Sequence, residues 1–162
     1  MIDTSMEASP DTACRRELAD DAATAALGRE FADALRGSGL VVYLHGELGA
    51  GKTSFARALL GALDVGERIK SPTYSLVEGY HAQGRPAWHL DLYRIADPGE
   101  LEWLGLDALA DPAALVLVEW PERGRGALPA ADVRIDLAYA GTGRQAVLHP
   151  LTARGRQVLA RL

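Results

Sequence analysis

The sequence predicts an α/β fold of the P-loop NTPase type, and three observations carry that expectation. The stretch "VVYLHGELGAGKTSFARALL", from Val41 to Leu60, sets an apolar run, a glycine-studded turn and a helix-like segment in that order. A second apolar run, "AALVLVEW", delivers an acid, Glu119, at its end. Between and around these runs, stretches of helical and of strand period follow one another within 162 residues, a length that suits one compact domain.

The elements follow in chain order. Residues 1–18 are expected as a flexible arm, because the opening stretch is small, polar and without period, and residues 19–162 as the single domain. "ATAALGREFADALRGSG" places Leu27, Phe31, Ala34 and Leu35 at helical spacing, with Gly37 or Gly39 as the stop. "LVVYLH" is apolar and rich in β-branched residues, as a strand buried on both faces requires. "KTSFARALLGAL" is a helix with Phe55, Leu59, Leu60 and Leu63 facing inward. Ser71-Pro72 forces extended backbone, and "TYSLVEGY" then reads as a strand. "HAQGRP" turns the chain into a second strand, "AWHLDLYRI", which makes the two antiparallel neighbours. "DPGELEWLGL" is expected as a helix capped by Asp97, with Pro98 first and Glu100 three residues on. After the apolar strand ending at Glu119 comes a Gly/Pro/Arg loop, "PERGRGALPAAD". A hairpin around Gly141 and Gly143 and a short closing helix complete the chain.

Composition narrows the function classes. Net charge is −5, which argues against a broad basic surface for nucleic acid. A single cysteine, Cys14, excludes an internal disulfide and a cysteine-based zinc site. No apolar run approaches the ~20 residues of a membrane span. The N-terminus lacks the basic-then-apolar order of a signal peptide, so a cytoplasmic protein is expected.

Gly46, Gly51, Lys52 and Thr53 fit the pattern G-x-x-x-x-G-K-S/T. Glycines let the backbone curl so that successive N–H groups point at phosphate oxygens. The helix that opens at the lysine adds its free N–H groups and the positive end of its dipole. Lys52 brings a point charge to the β and γ phosphates, and the Thr53 hydroxyl suits Mg²⁺, a hard ion that takes oxygen ligands. The nucleotide-binding stretch is thus Glu47, Leu48, Gly49, Ala50, Gly51, Lys52, Thr53 and Ser54. Two acids are candidates for the magnesium side. Glu119 ends an apolar strand and would work with Thr53 on the metal. Asp91, in "HLDLYRI", would lie near the γ-phosphate and orient or deprotonate the attacking group, or else sit on a polar strand face.

The nucleotide is expected to be ATP, since no N-K-x-D guanine reader is present. Ser71, Thr73 and Tyr74, with Pro72 among them, offer hydroxyls for a loop that senses the γ-phosphate, or simply begin a strand. Arg123 and Arg125 are either cations of a lid or a solvated basic loop. Three uses of the nucleotide stay open on these residues: an accessory ATPase, a small-molecule kinase, and a binding adaptor without hydrolysis.

"GELGAGKTSFARALL", "KSPTYSLVEGY", "HLDLYRI" and "LVEWPERG", in that order, resemble the bacterial TsaE family over residues 20–147. The resemblance implies a three-layer fold with a mixed, mostly parallel central sheet. It implies weak Mg²⁺-dependent ATP hydrolysis in support of the TsaB and TsaD proteins, which move a threonylcarbamoyl group onto adenosine 37 of tRNA. The chain itself would meet tRNA only indirectly. It further implies that Lys52 and Thr53 keep their P-loop roles, that Glu119 is the magnesium acid, and that Asp91 is the catalytic acid on the γ-phosphate side. Ser71 to Tyr74 match a switch-like loop, Thr24 a threonine near the base side of the nucleotide, and Trp120 the tryptophan that follows the acid.

Overall fold

The computed structural model describes residues 13–65, 69, 72 and 76–162. Among these residues seven strands form one sheet: β1 (Cys14–Leu18), β2 (Leu40–His45), β3 (Val77–Ala82), β4 (Arg85–Asp91), β5 (Leu115–Glu119), β6 (Val133–Ala140) and β7 (Gly143–Pro150). Among the described residues three α-helices accompany them: α1 (Asp21–Leu35), α2 (Lys52–Ala62) and α3 (Ala153–Leu159). The spatial order is β1-β7-β6-β2-β5-β4-β3. β6, β2, β5 and β4 are parallel neighbours, while β7 and β3 oppose the strands beside them. The sheet is therefore mixed, with a parallel centre and antiparallel edges.

The two apolar runs occupy the middle because only central strands bury both faces. Leu40, Val42 and Leu44 of β2, with Leu115 and Leu117 of β5, pack against all three helices in one core cluster. Val41, Val116 and Val118 point the opposite way and meet Leu90, Leu101 and Leu109. Leu101 and Leu109 come from two short 3₁₀ helices, Pro98–Leu104 and Leu106–Ala110, which cover that second face.

α1 begins where Asp20 accepts a hydrogen bond from Ala23 N at 2.9 Å. It stops at Arg36, which adopts a left-handed conformation just before Gly37. α1 crosses α2 closely: Phe31 meets Phe55 edge-on at 5.7 Å. A Cβ added at Gly28 would lie 2.7 Å from the Phe55 carbonyl oxygen. Gly28→Ala is therefore expected to destabilise the fold by about 1–2 kcal/mol, overpacking outweighing the gain in helix propensity. Urea unfolding checks this, and an unchanged or raised midpoint would refute the close crossing.

Three elements differ from the sequence reading. The arm expected over 1–18 gives up residues 14–18, which pair with β7 from Cys14↔Leu148 to Leu18↔Arg144. "CRREL" carries three charges, and charges are what an edge strand presents to solvent, so its composition hid it. The helix expected over "DPGELEWLGL" is instead the pair of 3₁₀ segments. Asp97 does cap the first, accepting from Gly99 N at 2.9 Å, but Gly105 breaks the run before an α-helix could recover its nucleation cost. β3 starts at Val77, so Leu76 of the expected strand "TYSLVEGY" precedes it, while Thr73 to Ser75 lie outside the described residues. Directly before β3, Leu76 N donates to the Pro72 carbonyl at 2.8 Å.

Candidate functional site

Parallel strands deliver their carboxyl ends to one edge of the sheet, where open α/β folds bind ligands. β2 ends at His45 and runs into the glycine loop, Gly46 to Gly51, which opens α2. β4 and β5 end in register, with Asp91 opposite Glu119. Alternation puts both acids on the face that α2 covers: Ala87 of β4 and Leu117 of β5, at matching parity, belong to that face's core. Asp91 is thus buried toward the loop rather than on a polar outer face. These elements wall a cleft of about 330 Å³, lined by Gly49, Gly51, Lys52, Thr53, Asp91 and Glu119 among others.

Thr53 Oγ1 donates to Glu119 Oε1 at 2.8 Å, joining the start of α2 to the end of β5. The other carboxylate oxygen, Oε2, lies 2.6 Å from His89 Nε2. Glu119 is 2% exposed and His89 1%, so the carboxylate is held from both sides inside the protein. A hydroxyl beside a fixed carboxylate is a hard-oxygen donor pair that suits Mg²⁺. Among the described residues no group of three His, Cys, Asp or Glu side chains forms a cage. Magnesium takes one or two protein ligands and completes its shell with phosphate oxygens and water.

Lys52 Nζ donates to the Glu47 carbonyl at 2.9 Å and also to the Gly46 carbonyl, so it reaches back over the loop. Its ammonium stands 4.3 Å from the centre of the Trp120 ring. Trp120 takes a left-handed backbone conformation directly after Glu119 and packs against Tyr93, ring centres 5.0 Å apart. Arg123 lies over the Tyr93 and Trp120 rings at 5.3 and 5.8 Å, whereas Arg125 lines a separate cavity with Tyr43 and Thr152. Burial lowers the Lys52 pKa, and Glu119 and Asp91 oppose that shift. Burial raises the pKa of Asp91, against a 3.1 Å hydrogen bond from Tyr93 N that favours its charge.

The Asp91 shift has a consequence for stability. Its folded pKa lies above the unfolded one, so the unfolded chain holds the ionised carboxylate more comfortably. The cost appears as pH rises through the unfolded pKa and is complete once pH has passed the folded one. Asp91→Asn keeps an acceptor for Tyr93 N and removes the charge. It is expected to raise the melting temperature by roughly 1–4 °C at pH 7. A melting temperature that falls would show that Asp91 is stabilised where it sits.

Of the remaining expected residues, Ser54 lines the cleft, Leu48 is 60% exposed at its rim, and Ala50 is fully buried. Glu47 contributes its carbonyl to the loop turn, accepting from Ala50 N at 3.1 Å. Thr24 is fully buried, its methyl 3.2 Å from where a Cβ on Gly51 would stand; Asp21, one turn earlier, is the α1 residue that opens into the cleft. Ser71, Thr73 and Tyr74 of the expected switch-like loop lie outside the described residues. The sequence reading missed His89. Its signal was present: in "HLD", residues two apart on a strand share a face, so His89 had to join Asp91.

A glycine loop between a buried strand and a helix, met by an acid from the next strand, belongs to the P-loop NTPase-like fold class. Comparison with known proteins narrows this. The family model described as "Threonylcarbamoyl adenosine biosynthesis protein TsaE" matches residues 18–146, and the chain belongs to the TsaE family. It is 39% identical over 137 residues to the tRNA threonylcarbamoyladenosine biosynthesis protein TsaE of Haemophilus influenzae, covering 82% of this chain and 87% of that one. Its counterpart of the same description in Nostoc is 35% identical over 140 residues, 82% and 83% of the two chains. The crystal structure of Bacillus subtilis YdiB superposes with a TM-score of 0.75 at 26% identity, over 91% of this chain and 92% of that one. Proteins of this family take part in tRNA threonylcarbamoyladenosine biosynthesis. Among the described residues, no helix is long and apolar enough to cross a membrane.

Proposed function

We propose that the chain is a Mg²⁺-dependent ATPase that supports threonylcarbamoyl transfer to adenosine 37 of tRNA by the TsaB–TsaD complex. The observation that carries the ATPase reading is the 2.8 Å bond from Thr53 to Glu119 at the mouth of the glycine loop. Family membership carries the pathway.

Magnesium, held by Thr53 Oγ1 and Glu119, would offset the charge of the phosphates. The loop N–H groups and the start of α2 bind the phosphate oxygens. Lys52 Nζ exchanges its loop carbonyls for the β and γ phosphates. Asp91, on the same sheet edge, accepts a hydrogen bond from the attacking water and orients it. Trp120 and Tyr93 form an apolar wall beside Lys52 and limit water there. The net charge of −5 fits a protein that acts on other proteins in the cytoplasm and meets tRNA only through them.

Phosphate release from ATP by the purified protein, with no acceptor, tests this reading. Slow release that quickens with TsaB and TsaD is the expected result. Silence until a small metabolite is added would instead mark a kinase, and nucleotide binding without release under any condition would mark an adaptor.

A further inference from the structure

Four successive carbonyls of the glycine loop are engaged by donors. Lys52 takes those of Gly46 and Glu47 from inside. The next two are taken from outside, by the β6–β7 hairpin. Tyr139 Oη donates to the Leu48 carbonyl at 3.0 Å. The Arg144 guanidinium donates to the Gly49 carbonyl through Nη2 at 2.9 Å and Nε at 3.2 Å. Tyr139 and Arg144 are register partners on β6 and β7, and the guanidinium lies 5.2 Å from the tyrosine ring centre. Gly49 sits directly under this pair, since a Cβ there would come within 2.6 Å of Tyr139 Oη.

We propose that Tyr139 and Arg144 are positioning residues that preform the phosphate-binding loop by fixing its carbonyls from the hairpin side. A trans peptide is planar, so its C=O and N–H point in opposite directions. Anchoring the Leu48 carbonyl to Tyr139 aims the Gly49 N–H away from the hairpin. Anchoring the Gly49 carbonyl to Arg144 sets the next plane, whose Ala50 N–H closes the turn onto the Glu47 carbonyl at 3.1 Å. A loop fixed in this way avoids an ordering cost when nucleotide arrives. Neither side chain serves the core: Tyr139 is 53% exposed and both anchors lie at the surface.

The inference rests on the nucleotide reading, and its test separates the two. Tyr139→Phe removes one donor and no charge; Arg144→Ala removes the other, and Arg144→Lys keeps a cation with a poorer fit. ATP affinity is measured by calorimetry, turnover by phosphate release, and mobility of residues 46–51 by hydrogen exchange in the nucleotide-free proteins. Tyr139→Phe is expected to weaken ATP binding roughly 3- to 10-fold and Arg144→Ala roughly 10-fold, with kcat within about twofold of wild type. Arg144→Lys is expected to recover part of the loss, and the loop exchanges faster in the first two variants. Unchanged affinity and exchange in a protein whose wild type binds ATP overturns the inference, as does a loss confined to kcat. If the wild type binds no ATP, the nucleotide reading fails. The exchange comparison then still decides: faster loop exchange in Tyr139→Phe upholds the clamp, and equal exchange removes it.

Discussion

Lys52→Ala is expected to lower kcat/KM for ATP roughly 10²- to 10³-fold, chiefly by abolishing tight nucleotide binding. The Lys52 side chain is 5% exposed, and its Nζ already points along the loop at the Gly46 and Glu47 carbonyls. A unit charge at 4 Å from a phosphate oxygen, in surroundings of effective dielectric near 20, is worth about 4 kcal/mol before desolvation is charged against it. Each ~1.4 kcal/mol is tenfold, so a net effect between about two-thirds and the whole of that gives the stated range. The ammonium is already partly stripped of water, and burial presses its pKa down, so little further desolvation is needed when phosphate replaces the carbonyls. The fold should tolerate the change, because the cation's partners are two loop carbonyls and an aromatic face. Thermal melting controls for this. Normal turnover in a folded Lys52→Ala protein would remove the P-loop assignment.

Glu119 gives the second large effect, and two substitutions divide it. Glu119→Gln keeps an acceptor for Thr53 and a polar group for His89 but no charge. Turnover at saturating Mg²⁺ is expected to fall roughly 100-fold or more, while ATP binding without metal changes little. Glu119→Ala loses the same turnover and also strands two groups. Thr53 Oγ1 and the buried His89 Nε2 are left without their 2.8 and 2.6 Å partner, which costs about 1–3 kcal/mol of stability. A stability difference between the two variants therefore reads the His89–Glu119 contact, and their shared loss of turnover reads the metal. Overlaying Mg²⁺ titrations of Glu119→Gln and wild type would contradict the assignment of the acid.

Much of the site was legible in the chain because its parts are local. The spacing from Gly46 to Thr53 carries its own geometry, and four apolar residues before Glu119 place it at a buried strand end. Asp91 was ambiguous for a physical reason. Its neighbours Leu90 and Leu92 are apolar, and alternation alone does not say which face of a central strand is the inner one; here both are. Its pairing with Glu119 settles the matter only once β4 is known to lie beside β5. Tyr139 and Arg144 carried no local signal. They reach the glycine loop because β6 packs beside β2, a contact more than 90 residues apart along the chain. The edge strand β1 was hidden by its charges, and the 3₁₀ pair by a capping pattern that is equally good for a longer helix.

Calorimetric titration of the wild-type protein with ATP, in the presence and absence of Mg²⁺, tests the central claim most directly. A saturable single-site heat that tightens with Mg²⁺ is the expected result. No heat at any ATP concentration the protein tolerates, with metal present, would contradict it.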